Sequence, residues 1–424
     1  MSWQIVAIET PFKRIVPAAT QNRLEVGPGL LSEPRLPPGA LLMGADYRAL
    51  GVARSLGRKG IPVWVVKQGG HLVATVSHYV SNIVDWPEAS ERARVVWLAD
   101  LSDKYRLKSW LLVPTDDSSV ALAARHHQLL TQHYKLAVPP WNDVEWACDK
   151  RLLHQLALRH GVPTPWTASP VNRQELATLD CPFPVIVKPA VRAQPSSLGI
   201  PKAWLAQNRQ SLLAQYDQAT RMVPAENLIV QEVVPGGGEA QFSYAALCRE
   251  GCSVASIVAR RTRQFPSDLG QFSTFVETVD EPGVMEPAKR LIAAAKFTGL
   301  VEVEFKKDPR DGQFKVLDVN PRIWGWHTLS RAAGVDFPFL LWLLANGEPI
   351  PELRGCAGKR WMHMSADLRV AWEEILRGRL SLGTYLRSFR GHMESAIFAW
   401  DDPLPGLLDL PLFAWEAGRQ KFRV

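Results

Sequence analysis

The segment Val301–Asn320 constrains the fold of this 424-residue chain more than any other. It reads Val-Glu-Val-Glu-Phe, then Asp308-Pro309-Arg310-Asp311-Gly312, then Val316-Leu317-Asp318-Val319-Asn320. Strict alternation marks a strand with two unlike faces, and an Asp-Pro-x-Asp-Gly run is turn chemistry. The spacing therefore predicts an antiparallel hairpin. Its first strand puts Val301, Val303 and Phe305 on one face and Glu302 and Glu304 on the other. In the second strand Asp318 and Asn320 share a face. Pairing through so short a turn brings Glu304 near Asp318 and Asn320, and three such oxygen donors suit Mg²⁺. A solvated strand face accounts for the alternation equally well at this level. Pro321 ends the strand, and Arg322 directly after it is placed to hold a γ-phosphate or an acyl phosphate beside the ion.

Two upstream segments bear on the same chemistry. Pro184-Val185-Ile186-Val187-Lys188-Pro189 reads as an apolar strand ending in one lysine, which can reach a phosphate. The small, polar run 192–199 after it can close over phosphates through backbone N–H groups. Further on, Ile229-Val230-Gln231-Glu232-Val233-Val234 runs into Pro235-Gly236-Gly237-Gly238-Glu239. Such a bend lets backbone groups meet a flat base while an acid binds ribose hydroxyls. Pro235 has no N–H, so Val234 is the donor to an adenine ring nitrogen.

Around these segments the chain reads as α/β followed by α+β. Residues 1–38 are a Pro-rich extension. Ala40–Gly44, the helical spacing of Arg48–Arg58 and the apolar run Ile61–Val66 make a βαβ unit. A strand near Ser109–Val113, a helix over Ser118–His133 and a short strand at Leu136–Val138 continue it. Gly44 lacks the remainder of a G-x-G-x-x-G pattern, so a Rossmann dinucleotide site is unsupported and a turn glycine is the better reading; a substrate anion at the following helix N-terminus stays open. Pro139-Pro140 suggests a boundary near residue 140. Helices are expected over Asp149–His160, Ser211–Thr220 and Gly283–Phe297, with strands at Val185–Lys188, Asn227–Glu232, Gln241–Cys248, Ser253–Arg261, Gly299–Lys306 and Gln313–Val319. The expected divisions are thus 1–38, 39–140, 141–350 and a helical C-terminal subdomain over 351–424.

Composition narrows the class. The net charge is +7, from 49 Lys and Arg against 42 Asp and Glu, but the basic residues are spread along the chain. The densest cluster, Arg260-Arg261-x-Arg263, falls in a predicted strand and loop, where an anionic small molecule explains it as well as nucleic acid does; a nucleic-acid partner is not expected. Five scattered cysteines argue against a disulfide framework, and Cys248 with Cys252 has no partner pair at zinc spacing. No apolar run approaches the ~20 residues of a membrane helix. No leader is read at the N-terminus, and a cytoplasmic location is the expectation.

Taken together, Lys188, the Gln231–Glu239 bend and the Glu304–Arg322 hairpin, in this order, resemble the ATP-grasp superfamily over roughly residues 140–345. The preceding βαβ region is similar to its Rossmann-like pre-ATP-grasp domain. The likeness is to its predicted carboxylate–amine ligases, whose acid-x-Asn-Pro-Arg signature stands here as Asp318-Val319-Asn320-Pro321-Arg322, followed by Ile323-Trp324-Gly325. Ala333-Gly334-Val335-Asp336-Phe337-Pro338 and Asp401-Asp402-Pro403-Leu404-Pro405 fit the same subgroup. The resemblance implies that Lys150 and Lys188 bind the nucleotide phosphates. It further implies that Gln231–Val234 lines adenine, with backbone contacts from Glu232 and Val234, and that Glu239 binds ribose. Glu304, Asp318 and Asn320 would hold Mg²⁺ (or Mn²⁺), and Arg322 the acyl phosphate, with Arg260, Arg261 and Arg263 on a strand and loop that face the γ-phosphate and the carboxylate. Two positions depart from the pattern: Asp318 replaces the usual Glu, and the 192–199 loop lacks the usual double glycine and carries Pro195.

The implied reaction is ATP-dependent joining of a carboxylate to an amine through an acyl phosphate, releasing ADP and phosphate. Small-molecule carboxylate and amine substrates are the implied partners, with a homodimer left open as the assembly. An ATP-grasp kinase acting on a hydroxyl and a non-catalytic nucleotide-binding module are the alternatives. His327, just after the signature, reads as a satisfied core histidine in preference to a base. Asp116-Asp117-Ser118-Ser119 reads as a helix cap in preference to a substrate contact.

Overall fold

A computed structural model of the chain describes residues 38–68, 72–191, 201–265, 270, 272–391, 393–409 and 411. The extension up to residue 37 and the loop 192–199 lie outside the described residues. Three sheets organise the rest.

The first is parallel, in the order β3-β2-β1-β4-β5, with β1 Ala40–Met43, β2 Val63–Lys67, β3 Asn82–Asp85, β4 Leu111–Pro114 and β5 Lys135–Leu136. β1 and β4 are buried along their whole length, as expected of strands covered on both faces. Helix α1 (Tyr47–Gly57) is N-capped by Asp46, α2 (Glu91–Tyr105) by Ser90 and α3 (Asp117–Arg125) by Asp116. Gly44 ends β1 at φ +150°, and a Cβ there would overlap the Thr115 hydroxyl. Glycine is therefore required by the turn itself, with no dinucleotide motif behind it.

The second sheet is small and antiparallel, in the order β6-β9-β7-β8: β6 Thr167–Ala168, β7 Val185–Pro189, β8 Trp204–Ala206 and β9 Leu228–Glu232. Its core is its own, built from residues such as Val187, Trp204, Leu212, Tyr216 and Val230.

The third and largest sheet runs β14-β13-β10-β11-β12-β16-β17. Its strands are β10 Gln241–Arg249, β11 Cys252–Phe265, β12 Phe272–Thr278, β13 Gly299–Lys307, β14 Phe314–Asn320, β15 Leu353–Arg354, β16 Arg360–Met362 and β17 Met393–Ser395, with β15 pairing on β11. Val301, Val303 and Phe305 share one core with Leu41, Met43 and Leu112 of the first sheet. A second shared core joins Leu50 and Leu56 of α1 to Trp324 and Phe337.

Two expectations change. Arg260, Arg261 and Arg263 all lie on β11, a single 14-residue strand with bulges, and none is in a loop. The tail is not purely helical. β16 and β17 extend the large sheet, and the helix Met364–Leu376 accompanies them. Strands of three residues are too short for periodicity to register. Asp402 of the tail is buried against α1: its carboxylate accepts from Arg54 Nε at 2.9 Å and from the Ser77 hydroxyl at 2.6 Å. Asp401 takes both Nε and Nη2 of Arg58, at 2.7 and 2.8 Å. Among the described residues, no helix is long and apolar enough to cross a membrane.

Candidate active site

The hairpin forms as its turn chemistry predicts. Asp308, fully buried, accepts from Arg310 Nη2 and from Lys315 Nζ, both at 2.6 Å, and from Arg310 Nε at 2.9 Å. The guanidinium of Arg310 holds its carboxyl well below the usual range. Gly312 takes φ +73° and closes the turn onto the Asp308 carbonyl. The resulting register sets Glu302 opposite Asn320 and Glu304 opposite Asp318.

Val301, Val303 and Phe305 are fully buried, and the acidic face is buried as well: Glu302 is 3 %, Asn320 4 % and Asp318 9 % exposed. That removes the solvated-face reading of the alternation. Buried charge needs partners, and they are close. Asn320 Nδ2 donates to Glu304 Oε1 at 2.9 Å and to Glu302 Oε2 at 3.0 Å. Arg322 Nη2 donates to Asn320 Oδ1 at 3.0 Å. Arg261, reaching across from β11, lies 3.2 Å from Glu304. Lys150, the first residue of the helix Lys150–Arg159, lies 3.4 Å from Asp318, while Asp149 N-caps that helix.

Three participants were not singled out from sequence. Glu302 accepts from the Trp326 indole at 2.8 Å besides holding Asn320, and burial followed by the neighbouring Glu304 pushes its carboxyl up to about 7. Its signal was present, since it shares the alternating face of Glu304. Asp117 accepts from Arg322 Nε at 2.6 Å and so ties α3 to the end of β14; it stood in a run read as a cap, a role that Asp116 fills. Tyr47, at the start of α1, sets its hydroxyl against Gly325, where a Cβ would collide with it; burial raises that hydroxyl to about 12.

The remaining predicted residues divide. Lys188, buried on β7, donates to Gln231 Oε1 at 2.7 Å, and Gln231 Nε2 donates to Thr167 at 3.0 Å. The Glu232 N–H is spent on the Trp166 carbonyl and the Val233 N–H on that of Pro184. The Glu232 carboxylate pairs with Arg310 of the hairpin turn at 2.6 Å. Val234, 3 % exposed, is the next N–H along. Glu239 is exposed and accepts from the Gly237 N–H at 3.0 Å. Arg263 is not brought to the hairpin acids. It makes a two-point pair with the buried Asp367, at 2.9 and 2.7 Å, and its guanidinium lies 4.2 Å from the Phe275 ring centroid. His327 is a core residue: Nδ1 meets the Trp324 carbonyl at 2.9 Å, and burial lowers its pKa to about 4.

Among the described residues, no three Asp, Glu, His or Cys side chains form a ready-made metal site. Glu304 and Asp318 supply two carboxylates and Asn320 an amide oxygen. That donor set fits a hard divalent ion that draws its other ligands from water and phosphate, as Mg²⁺ does. A cavity of about 220 Å³ opens beside Asp318 and Lys150, lined also by Asp117, Cys148 and Pro321. Burial raises the Cys148 thiol to about 12, which leaves it unsuited to act as a nucleophile.

A small antiparallel sheet carries Lys188, and the terminal hairpin of the large sheet presents two acids, an asparagine and arginines, with Arg310 pairing to Glu232 between them. The family model described as ATP-grasp in the biosynthetic pathway with Ter operon matches residues 225–374. D-aspartate ligase of Enterococcus faecium is 21 % identical over 299 residues, covering 66 % of this chain and 70 % of that protein. Biotin carboxylase of Campylobacter jejuni superposes with a TM-score of 0.60 at 16 % identity, over 74 % of this chain and 72 % of the other. An L-amino acid ligase of Bacillus licheniformis gives a TM-score of 0.55 at 15 % identity, over 73 % of each. Residues 225–374 thus carry an ATP-grasp match, and the chain shares its fold with ATP-grasp proteins.

Proposed function

We propose that this protein is an ATP- and magnesium-dependent ligase that joins a carboxylate to an amine through an acyl phosphate. The observation that carries the reading is the largely buried group Glu304, Asp318 and Asn320, with Lys150, Arg261 and Arg322 around it. The names of the D-aspartate and L-amino acid ligases agree with it. In this reading the Glu232 carbonyl and the Val234 N–H hold adenine, and Glu239 holds ribose. Lys150 and Lys188 neutralise the phosphates. Magnesium, when bound at Glu304, Asp318 and Asn320, offsets phosphate charge. Arg322 and Arg261 orient the γ-phosphate and the attacking carboxylate, so positioning and charge neutralisation carry the rate. Arg322 then steadies the acyl phosphate while the amine displaces phosphate. Arg263, committed to Asp367, takes no part.

ADP release in a screen of acids crossed with amines tests the reading. Release that requires both an acid and an amine is the expected outcome. Release with an alcohol alone would establish a kinase instead, and ATP binding without turnover on any pair would leave a binding module.

A further inference from the structure

A second cavity, of about 260 Å³, opens at the carboxyl ends of the parallel strands. Met43 and Gly44 line it from the end of β1, and Val66 and Gln68 from the end of β2. In the order β3-β2-β1-β4-β5 the chain leaves β1 toward β2 and later returns on the other side to β4. Crossovers diverge there, and the resulting crevice is where open α/β sheets take ligands. Glu91 and Ser118 line both this cavity and the one beside Asp318 and Lys150. The two cavities thus adjoin, one beside the hairpin acids and one at the end of β1.

At the β1 end the charge is one-sided. Glu91 is matched by Arg125 at 3.4 Å and His126 at 3.2 Å. Asp116, nearby at the start of α3, caps the Ser119 N–H and accepts from the Ser118 hydroxyl. Arg94 spends only Nε, on the Pro87 carbonyl at 3.1 Å, with its guanidinium 5.3 Å from the Trp86 ring centroid. Among the described residues no acid pairs with it, and the Trp86 indole N–H has no partner either. An arginine with no acid partner at the wall of a cavity suits a planar anion such as a carboxylate. An amine there would find the one acid, Glu91, already matched.

We propose that this cavity seats the far end of the acid substrate, and that this far end carries a second anionic group held by Arg94. The proposal rests on the ligase reading. The reacting carboxylate lies at Arg322 and the distal anion at Arg94, so the substrate class is a small diacid.

Calorimetric titration of the full chain, loaded with magnesium and a non-hydrolysable ATP analogue, tests this. The probes are succinate and glutarate against their monoamides and against butyrate. The diacids are expected to bind about tenfold or more tighter than the others, as loss of a charged hydrogen bond implies. Arg94→Gln should erase that preference, Arg94→Lys should keep part of it, and neither should alter analogue affinity. Normal analogue binding with no diacid preference, or a preference that survives Arg94→Gln, overturns the proposal alone. Failure of the analogue to bind overturns the ligase reading and the proposal with it.

Discussion

Asp401 and Asp402 near the C-terminus and Glu304 and Asp318 on the hairpin are both acid pairs set against basic side chains, yet their geometry differs. Asp401 meets Arg58 at 2.7 and 2.8 Å, and Asp402 meets Arg54 at 2.9 Å with Ser77 and the His78 N–H completing its shell. Arg54 also donates to the Ile397 and Asp402 carbonyls. That set is balanced, two acids to two arginines, and it fastens the tail to α1. On the hairpin, Lys150 stands 3.4 Å from Asp318 and Arg261 3.2 Å from Glu304, beyond the 2.7–2.9 Å or so of a tight charged pair. Lys150 and Asp318 face a cavity. The first set is tightly paired and holds the fold, although Arg54, Arg58 and Asp401 also border a cavity; the second is more loosely spaced.

The largest separation of the two regions should come from Asp318→Asn. ATP turnover should fall by more than the ~10–100-fold that loss of an outer-sphere metal partner costs, while the thermal midpoint stays near wild type. Normal turnover with magnesium would refute the metal assignment. Asp402→Ala should do the converse. Removing one partner of a buried pair costs roughly 3–5 kcal/mol, read as a shifted denaturant midpoint, with nucleotide affinity kept in the folded fraction.

Glu302→Gln probes the support of the site. Glu302 fixes the Asn320 amide so that Nδ2 donates to the acids and Oδ1 accepts from Arg322. A glutamine can turn that amide over, and the magnesium requirement should rise about 10–100-fold. The exchange Glu302→Gln with Asn320→Asp restores donor to acceptor and should recover most of the loss; no recovery would make Glu302 a packing residue only.

The smallest effect is on pH dependence. Burial opposes ionisation of Asp402, but Ser77, Arg54 and the His78 N–H outweigh it and lower its pKa from 3.8. A depressed carboxyl stabilises the fold fully above its unfolded value. That stability disappears as pH falls from about 4 toward the lower folded value. Wild type should therefore lose stability more steeply below pH 4 than Asp402→Ala; parallel acid limbs would contradict the pair.

The hairpin was legible because its information is local. A side-chain period of two and five turn residues set which acids share a face. Lys188 and the Gly-rich bend were legible from the same local signals. What the sequence hid is long-range. Asp117 meets Arg322 across 205 positions and Arg54 meets Asp402 across 348, and no spacing rule connects them. Arg263 looked equivalent to Arg261, but bulges on β11 reset the alternation and a buried acid from the tail claims it. The tail strands were too short to show a period. Burial of the acidic face, which removes the solvated-strand reading, comes from long-range partners such as Trp326, Lys150 and Arg261.

Calorimetric titration of ATP into the wild-type protein, once with magnesium and once with a chelator, bears most directly on the hairpin. Two buried carboxylates beside phosphate repel it unless a divalent ion lies between them. ATP should therefore bind at least about tenfold tighter with magnesium, a difference of some 1.4 kcal/mol. Equal affinity with and without the ion would contradict the assignment of Glu304, Asp318 and Asn320.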